Sequence, residues 1–304
     1  MRVIETVSEM KEARAALGGG RVGLVPTMGA LHEGHLSLVR RARADNDHLV
    51  ASVFVNPTQF GPQEDLDEYP RNLEGDLRLL EAEGVDTVFA PTAQAMYPPG
   101  FDEWVEVRGP LTSRLEGAFR PQFFRGVTTV VARLFRIIEP HRAYFGEKDA
   151  QQLRVVRQMV REQRLPVEIV AMPTVREPDG LAMSSRNAYL SPEERRTATV
   201  LWRSLCHARE LFDGGERRAE VISGEMRAVL ASEPLARVEY VSVADAETLQ
   251  ELETIDGPTL VLLAVQVGST RLIDNAPLVP GGAEAPEALR QPSEDLKVTR
   301  GRSA

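Results

Sequence analysis

Two histidines lie in a turn between an apolar run and a helical pattern. The turn, PTMGALHEGH, covers residues 26–35 and follows the strand-like run 22–25. A turn of this kind directs backbone N–H groups and the positive end of a helix towards an anion, usually a phosphate. His32 and His35 are three residues apart and share one face of the following helix. Two surface histidines are the simpler interpretation, but the position of the turn favours phosphate binding. Metal ligation is less favoured, because no further His or Cys cluster completes a site.

Lys148 lies at a second strand-to-helix junction, in FGEKDAQQL, residues 145–153. It is one of three lysines among 36 basic residues. Codon usage is one explanation for the many arginines. A lysine in this setting still draws attention, because its ammonium is a compact charge and a guanidinium is a wide planar fork. Asp149 is expected to cap the next helix, and Gln151 and Gln152, taken alone, are expected to face solvent.

Neutral amides follow a further strand, in FVNPTQFGPQEDLDEYPR, residues 54–71. Asn56 and Gln59 come after the carboxyl end of that strand, where an amide is able to bind a hydroxyl or a carboxylate of a ligand. The acidic stretch 64–68 is expected to be a solvated loop.

A polar loop, residues 175–191, connects the two parts of the chain. Its Ser184, Ser185 and Arg186 offer two hydroxyls and a bidentate cation, a set suited to phosphate oxygens. Taken alone, this loop is equally well explained as a linker. The four segments together indicate anion binding in an otherwise acidic protein, and therefore a nucleotide-using transferase or ligase.

Strand-like runs and helical patterns alternate over the first two thirds of the chain, which indicates a parallel sheet. Three of the four segments leave the carboxyl ends of predicted strands, so the sheet would bring them to one edge, where open α/β folds bind ligands. We predict an α/β fold: a Rossmann-like parallel sheet with helices on both faces, plus a smaller α+β C-terminal domain. The expected domains are 1–187 and 188–280, followed by a tail over 281–304 that is expected to be disordered.

The elements expected in each domain follow from hydrophobic periodicity and from start and stop signals. The predicted strands of the first domain are 22–25, 49–55, 85–89, 143–145 and 167–171. Its predicted helices are one that opens with a capping box from Thr6 to Glu9, one that ends near residue 43, and 73–82, 126–138 and 150–161. The second domain is expected to contain helices over 192–212 and 217–231 and strands over 237–243, 259–267 and 270–274.

The overall composition excludes several classes of protein. A formal net charge of −9 argues against a basic face for nucleic acid or an anionic membrane. No apolar run approaches the ~20 residues of a membrane span, and Cys206, the single cysteine, has no disulfide partner within the chain. The first residues lack the apolar core of a signal peptide. We therefore expect a soluble, cytoplasmic protein that binds neither nucleic acid nor membranes.

The chain resembles the pantoate–β-alanine ligase (pantothenate synthetase) family over nearly all of its first 275 residues. The motifs that carry the resemblance are PTMGALHEGH, FVNPTQFGPQEDLDEYPR, FRGVTTVV, GEKDAQQL and DGLAMSSRNAYL. The family belongs to the nucleotidyltransferase superfamily, which includes class I aminoacyl-tRNA synthetases. The resemblance implies a homodimer that condenses (R)-pantoate with β-alanine to pantothenate, using ATP and Mg²⁺. The implied route runs through pantoyl adenylate and releases AMP and pyrophosphate.

The resemblance also implies roles for individual residues. His35 is the usual catalytic assignment with His32 as its partner at the phosphates, and Lys148 and Arg186 complete the expected catalytic set. The implied ATP-binding residues are Pro26, Met28, Gly29, His32, His35, Gly146, Glu147, Lys148, Asp149, Val175, Met183, Ser184, Ser185 and Arg186.

The substrate-binding residues implied by the resemblance are amides. Gln59 and Gln152 would hold pantoate, and Gln59 would face β-alanine as well. Asn56, from the same segment as Gln59, completes the expected set. No residue is assigned as the base that removes a proton from the β-alanine amine.

Two positions depart from the pattern of the family. Phe123 stands where members often carry a histidine, so the contact that this histidine makes is not expected here. Gly75 precedes Asp76, whereas some members have paired acids that are linked to the metal. Asp76 is therefore the single metal candidate, and oxygens of ATP and water are expected to supply most of the ligands.

Two other functions have to be separated from the ligase. One is a nucleotidyltransferase that leaves the nucleotide on a phosphorylated acceptor; it shares the histidine turn, but Gln59, Gln152 and the second domain argue against it. The other is a nucleotide-binding module without turnover. Phe123 is the one feature that favours such a module, and the complete set of histidines and cations weighs against it.

Overall fold

A parallel sheet lies at the centre of the larger of two units. The structure is a computed structural model, which describes residues 1–62 and 64–279. The tail predicted over 281–304 lies outside these residues. The strands of the sheet are β1 (Arg2–Ile4), β2 (Val22–Thr27), β3 (His48–Val53), β4 (Thr87–Phe89), β5 (Arg142–Gly146) and β6 (Glu168–Met172). Their order is β1-β4-β3-β2-β5-β6, and all neighbours run parallel. The predicted parallel sheet is confirmed.

Helices cover both faces of this sheet. They are α1 (Val7–Ala16), α2 (Glu33–Asp45), α3 (Leu73–Ala82), α4 (Ala93–Met96), α5 (Pro110–Ser113), α6 (Glu116–Phe119), α7 (Phe123–Ile138) and α8 (Ala150–Gln163). Successive side chains of a strand point to opposite faces. On β2, Leu24 therefore joins the core that contains α1, α7 and α8, whereas Val25 joins the core that contains α2 and α3. This arrangement confirms the Rossmann-like class.

The predicted elements of this part differ from the observed ones for local reasons. Thr6 caps α1 as expected, since its hydroxyl oxygen accepts a hydrogen bond from the Glu9 N–H at 3.2 Å. The edge strand β1 was not predicted, because three residues are too few to show alternation. The four-residue helices α4, α5 and α6 were missed for the same reason.

A second, antiparallel sheet follows three helices at the C-terminal side. The elements are α9 (Pro192–Ala198), α10 (Val200–Asp213), α11 (Ala219–Ala231), β7 (Ala236–Asp245), β8 (Thr259–Val267) and β9 (Thr270–Leu278). The strand order is β7-β8-β9, which confirms the smaller α+β unit. The helix predicted over 192–212 is interrupted at Thr199, whose N–H and hydroxyl both donate to the Arg196 carbonyl, at 3.3 and 2.8 Å.

The central strand β8 packs against both units, because one of its faces is buried in the second unit and the other against the larger one. Val261 belongs to the core formed with α10 and α11. On the other face, Leu260 and Leu262 pack in one cluster with Leu115 and Ala150 of the larger part. The boundary predicted between residues 187 and 188 falls in a short 3-10 turn, Ser185–Tyr189, and stays a prediction. Among the described residues, no helix is long and apolar enough to cross a membrane.

Candidate active site

A cleft of about 1210 Å³ opens at the carboxyl ends of β2, β3 and β5, beneath the second sheet. It brings together nearly all the side chains predicted to bind ligands. Those that line it are Pro26, Met28, His32, His35, Asn56, Gln59, Gly146, Lys148, Asp149, Gln152, Val175, Met183, Ser184, Ser185 and Arg186. The predicted residues that do not line it are Gly29, Glu147 and Asp76. The edge of the parallel sheet therefore assembles the site as expected.

The two histidine rings pack against each other at the start of α2, with their planes tilted by 39°. Their ring centroids are 4.1 Å apart, and the His32 backbone N–H donates to His35 Nδ1 at 3.3 Å. Burial and nearby Lys148 lower the pKa of His32 to about 4. Burial, His32 and Lys148 lower the pKa of His35 to about 3. Both rings are therefore neutral at pH 7, and because Nδ1 of His35 accepts a bond, its proton is on Nε2, which is a hydrogen-bond donor for a ligand.

Asp76, from α3, holds the turn that precedes these histidines. Its carboxylate oxygens accept hydrogen bonds from the backbone N–H groups of Ala30 at 2.9 Å and Leu31 at 2.8 Å. The turn needs this support, since Gly29 and Ala30 both have positive φ, at 82° and 50°. Asp76 is 3% exposed and burial raises its pKa, so this carboxyl fits the role of a backbone anchor.

The serine-arginine loop is attached to the same turn. Ser185 Oγ donates to the Ala30 carbonyl at 3.1 Å, across 155 positions of sequence. Ser184 begins the 3-10 turn, and its hydroxyl oxygen accepts from the Arg186 N–H at 3.3 Å. The Ser185 hydroxyl thus connects the two expected phosphate-binding segments, whereas the Ser184 hydroxyl stabilises its own loop.

The acidic stretch 64–68 is only in part the solvated loop that was expected, since Asp67 and Glu68 are exposed whereas Glu64 and Asp65 are half-buried. Asp65 accepts two bonds from Arg186, each at 2.8 Å, and Glu64 pairs with Arg120. Burial opposes the ionisation of Asp65, but the Arg186 guanidinium outweighs it and lowers the pKa of this carboxyl below its usual value. The stretch closes one side of the cleft, and its partners lie so far away in sequence that composition could not reveal them.

Lys148 follows β5 in a short 3-10 turn, Glu147–Asp149. Its side chain is 21% exposed, and its Nζ lies 4.0 Å from Asp149 Oδ1. Asp149 occupies the N-cap position of α8, but its side chain makes no capping bond, contrary to the expectation. The ammonium thus faces the cleft without a close carboxylate partner among the described residues.

The two amides that follow β3 form a connected pair. Asn56 Nδ2 donates to Gln59 Oε1 at 3.0 Å and to the Gly126 carbonyl at 3.2 Å, and Asn56 is 1% exposed. Its Oδ1 accepts from the hydroxyls of Thr58 and Tyr97. Asn56 therefore orients Gln59, and a direct contact between Asn56 and a substrate stays a prediction.

The two glutamines of α8 have different surroundings. Gln151 is 3% exposed, so the expectation that it faces solvent is wrong. Its Oε1 accepts from the Glu116 N–H at 3.0 Å, and its Nε2 donates to the carbonyls of Leu111 and Arg114, both at 2.8 Å. Gln152 is half-buried and lines the cleft. The amide chemistry towards a ligand is thus concentrated in Gln59 and Gln152.

Comparison with known proteins decides the family. The family model described as Pantoate-beta-alanine ligase matches residues 2–277. The chain belongs to this family. It is a ligase, and its reaction joins pantoate to β-alanine.

Several relatives in the pantoate-beta-alanine ligase family are similar over almost their whole length. The pantothenate synthetase of Roseiflexus sp. is 63% identical over 278 residues, which is 91% of this chain and 99% of the relative. The crystal structure of pantothenate synthetase from Thermus thermophilus is 52% identical, covers 90% of this chain and 98% of its own, and has a TM-score of 0.87. The ligase from Francisella tularensis, solved in complex with beta-gamma ATP and beta-alanine, is 32% identical, with coverages of 90% and 97% and a TM-score of 0.75.

Phe123, the departure from the family pattern, supports an arginine that the sequence reasoning did not single out. The Arg120 guanidinium lies over the Phe123 ring, 3.8 Å from its centroid, and both residues line the cleft. Arg120 Nη2 also donates to the Gln59 carbonyl at 3.2 Å. The phenyl ring thus orients a cation beside Gln59, which is predicted to bind pantoate, and the Arg-Pro pair before FRGVTTVV was the signal that could have identified Arg120.

The Glu116 side chain forms long-range hydrogen bonds that no local sequence pattern indicated. Arg271 of β9 donates to both of its carboxylate oxygens, at 2.7 and 2.8 Å, and the Tyr240 hydroxyl of β7 donates to Oε1 at 2.9 Å. These partners lie 155 and 124 positions away. Although burial opposes it, the pairing with Arg271 lowers the pKa of Glu116.

In the part of the chain that the structure describes, the side chains do not form a closed magnesium site. Among the described residues, no group of three or more His, Cys, Asp or Glu side chains is arranged to hold a metal ion. Asp76, the metal candidate, does not line the cleft, and both of its oxygens bind backbone N–H groups. The observed contacts of Asp76 are those of a backbone anchor, and a role as a metal ligand stays a prediction.

Proposed function

We propose that this ligase activates pantoate with ATP to form pantoyl adenylate and pyrophosphate, and that β-alanine then displaces AMP to give pantothenate. The observation that carries the proposal is the meeting of the histidine turn, Lys148 and the serine-arginine loop in one cleft. The Francisella tularensis relative, with beta-gamma ATP and beta-alanine bound, supports ATP and β-alanine as ligands of this cleft.

The first step needs alignment and charge neutralisation more than proton transfer. A carboxylate with a pKa of roughly 4 is already ionised at pH 7, so pantoate attacks the α-phosphorus without a general base. Negative charge then develops on the phosphoryl oxygens and the leaving pyrophosphate. We assign the neutralising charges to Lys148 and Arg186, whereas His32 and His35 act as neutral hydrogen-bond donors, consistent with their lowered pKa values.

Pantoate is placed in the cleft beside the amides of Gln59 and Gln152. Both line the cleft, and Gln59 is oriented by Asn56 and by its carbonyl bond to Arg120. An amide offers both a donor and an acceptor, which suits the hydroxyl and carboxylate groups of this substrate. Gln59 is also our candidate for contact with β-alanine.

The second step requires an unprotonated amine, because an alkyl ammonium of pKa near 10 is not nucleophilic. Neither histidine is suited to retain the proton that the amine loses, since their pKa values are about 4 and 3. We therefore assign no protein base to this step.

Magnesium is proposed to enter with the nucleotide. The cleft offers no closed set of protein ligands among the described residues, so phosphate oxygens and water would hold most of the ion's coordination sphere. The ion would add positive charge beside the phosphates, where Lys148 and Arg186 are placed to act.

The remaining proposals concern assembly, location and domains: the homodimer rests on the family resemblance, and the location and the domain bounds rest on the sequence pattern. We propose a homodimer that works in the cytoplasm, a nucleotide- and pantoate-binding domain over 1–187, and a lid domain over 188–280. Support for the domain division comes from separate cores, since two flank the parallel sheet and a third lies within the second unit.

An AMP-release assay tests the proposed function. With pantoate, ATP, β-alanine and Mg²⁺ present, AMP and pantothenate should form in equal amounts, and omission of β-alanine should abolish AMP release. A product that carries the nucleotide, formed without AMP, would instead identify a nucleotidyltransferase. ATP binding without turnover under all conditions would identify a non-catalytic module.

A further inference from the structure

Asn275 of β9 is hydrogen-bonded to the backbone that carries Lys148. Its Nδ2 donates to the carbonyl of Glu147 at 3.0 Å and to the carbonyl of Lys148 at 2.9 Å, and the residue is 7% exposed. We propose that Asn275 is a positioning residue, through which the second sheet fixes Lys148 for adenylate formation. This inference rests on the proposed role of Lys148 in that step.

Asn275 is itself held by a buried ion pair. Arg176 donates to both carboxylate oxygens of Asp274, at 2.6 and 2.9 Å, and the two side chains are 9% and 1% exposed. Asp274 Oδ1 accepts the Asn275 N–H at 2.8 Å, and Arg176 also donates to the Asn275 carbonyl at 3.3 Å. The Arg176 guanidinium lies over the Trp202 ring at 4.0 Å. The backbone of Asn275 is therefore held by Arg176 and Asp274, whose opposite charges are paired and hydrogen-bonded to each other.

Lys148 needs such support because little else near its ammonium determines its position. Within residues 1–62 and 64–279, its Nζ comes near one carboxylate, that of Asp149 at 4.0 Å, and the turn that carries it is three residues long. Short 3-10 turns have weak hydrogen-bond geometry of their own. Two additional bonds to the carbonyls of this turn fix the point from which the flexible lysine side chain extends into the cleft.

The position of Asn275 also links the two parts of the protein. β9 belongs to the second sheet, whereas the turn of Lys148 follows β5 of the parallel sheet. Lys148 is thus placed correctly only when the second unit is seated on the first. The bonds from Asn275 would make adenylate formation depend on that seating.

Coupling between Asn275 and Lys148 is measurable with a double-mutant cycle. Asn275→Ala and Asn275→Asp should each lower kcat for adenylate formation by roughly 10-fold or more, since small misplacements of a catalytic group are costly. In a Lys148→Ala background, the same changes should cost less than about threefold, because the group they position is absent. Pyrophosphate release in single-turnover reactions with pantoate and ATP provides the rate. If one of the two variants does not fold, the other completes the cycle.

Ser204→Ala is the matched control for the loss of a buried polar group. Ser204 is fully buried in the second unit, and its hydroxyl donates to the Met226 carbonyl at 3.2 Å. Any effect of this change should be the same in both backgrounds. Equal losses for the Asn275 variants with and without Lys148 would overturn the inference, and would instead indicate direct ligand contact by Asn275 or general destabilisation. An inactive parent protein would contradict the proposed function and not this inference.

Discussion

Arg186 and Asp65 face each other across the cleft in a two-bond ion pair, with Nε donating to Oδ2 and Nη2 donating to Oδ1, both at 2.8 Å. The same N–H groups are those that an Arg fork presents to phosphate oxygens. In this structure the Asp65 carboxylate therefore binds the Arg186 guanidinium, to which the proposed function assigns contact with ATP. On that assignment, nucleotide binding would exchange the Asp65 carboxylate for phosphate oxygens at these two N–H groups.

Removing the charge of Asp65 should strengthen ATP binding. In Asp65→Asn a neutral amide competes less well for Arg186, so we expect the KM for ATP to fall by about threefold or more, with kcat little changed. Steady-state kinetics with varied ATP measures this. Asp67→Asn is the control. It removes the same charge at a position two residues further along, and Arg186 forms its ion pair with Asp65 and not with Asp67. A raised KM for ATP would show that Asp65 holds Arg186 in its productive position.

Lys148→Arg keeps the charge and should still impair the enzyme. A planar guanidinium does not reproduce a compact ammonium in a confined site, and we expect a loss of at least ~2 kcal/mol of transition-state stabilisation, roughly 30-fold in kcat/KM. Lys11→Arg, on the surface helix α1, is the matched control and should leave kinetics unchanged. Activity of Lys148→Arg within threefold of the parent would mean that position 148 requires charge alone.

The lowered pKa of His35 should make folding stability depend on pH. The unfolded chain protonates His35 below its ordinary pKa of 6.5, whereas the native protein withholds the proton until about pH 3. Unfolding therefore takes up a proton in this interval, and stability falls as the pH drops from 6.5. Thermal unfolding at pH 7 and pH 5 should show a larger fall for the parent than for His35→Gln. Equal falls in both proteins would contradict a lowered pKa.

Asp76→Asn should separate support of the histidine turn from metal binding. The amide replaces one acceptor oxygen by an NH₂ group that faces a backbone N–H, so we expect kcat/KM for ATP to fall by roughly 10-fold or more. The Mg²⁺ concentration for half-maximal activity should not change. Glu74→Gln, in the first turn of the same helix, is the control. A strong shift in the Mg²⁺ requirement of Asp76→Asn would restore it as a metal ligand.

A methyl group at Gly126 should displace the turn that carries Gln59. A Cβ there would lie 2.4 Å from the Thr58 carbonyl oxygen and 2.7 Å from Gln59 Cα. We expect Gly126→Ala to cost about 1–3 kcal/mol of stability and to raise the KM for pantoate. Gly224→Ala, on helix α11 with nothing within 4 Å of its Cβ, should instead be neutral or stabilising by up to ~1 kcal/mol. Unchanged pantoate kinetics in Gly126→Ala would argue against Gln59 as a pantoate ligand.

Local sequence signals predicted the parts of the site that follow strands. The carboxyl ends of β2, β3 and β5 were identified because apolar runs end at Gly, Pro and polar residues, and parallel pairing then brings those ends together. The N-cap of α1 was likewise visible, since Thr6 and Glu9 are only three residues apart. Such features need no knowledge of distant partners.

The remaining contacts could not be predicted because their chemistry is set by residues far away in the chain. Glutamine is usually a surface residue, yet Gln151 is hydrogen-bonded to three backbone groups about 35 to 40 positions earlier in the chain. Asp65 was expected to be solvated and finds Arg186 121 positions later. Polarity alone indicates that a group needs partners, but whether water or protein supplies them depends on tertiary packing.

The two buried faces of β8 have a consequence for the integrity of the chain. Leu260 and Leu262 are covered by Leu115 and Ala150, so neither half of the protein closes its own hydrophobic surface completely. A fragment cut near residue 187 would leave that strip of leucines in water and should tend to aggregate. The intact enzyme should accordingly melt in one cooperative transition, and limited proteolysis at the connecting loop should inactivate it rather than release two working halves.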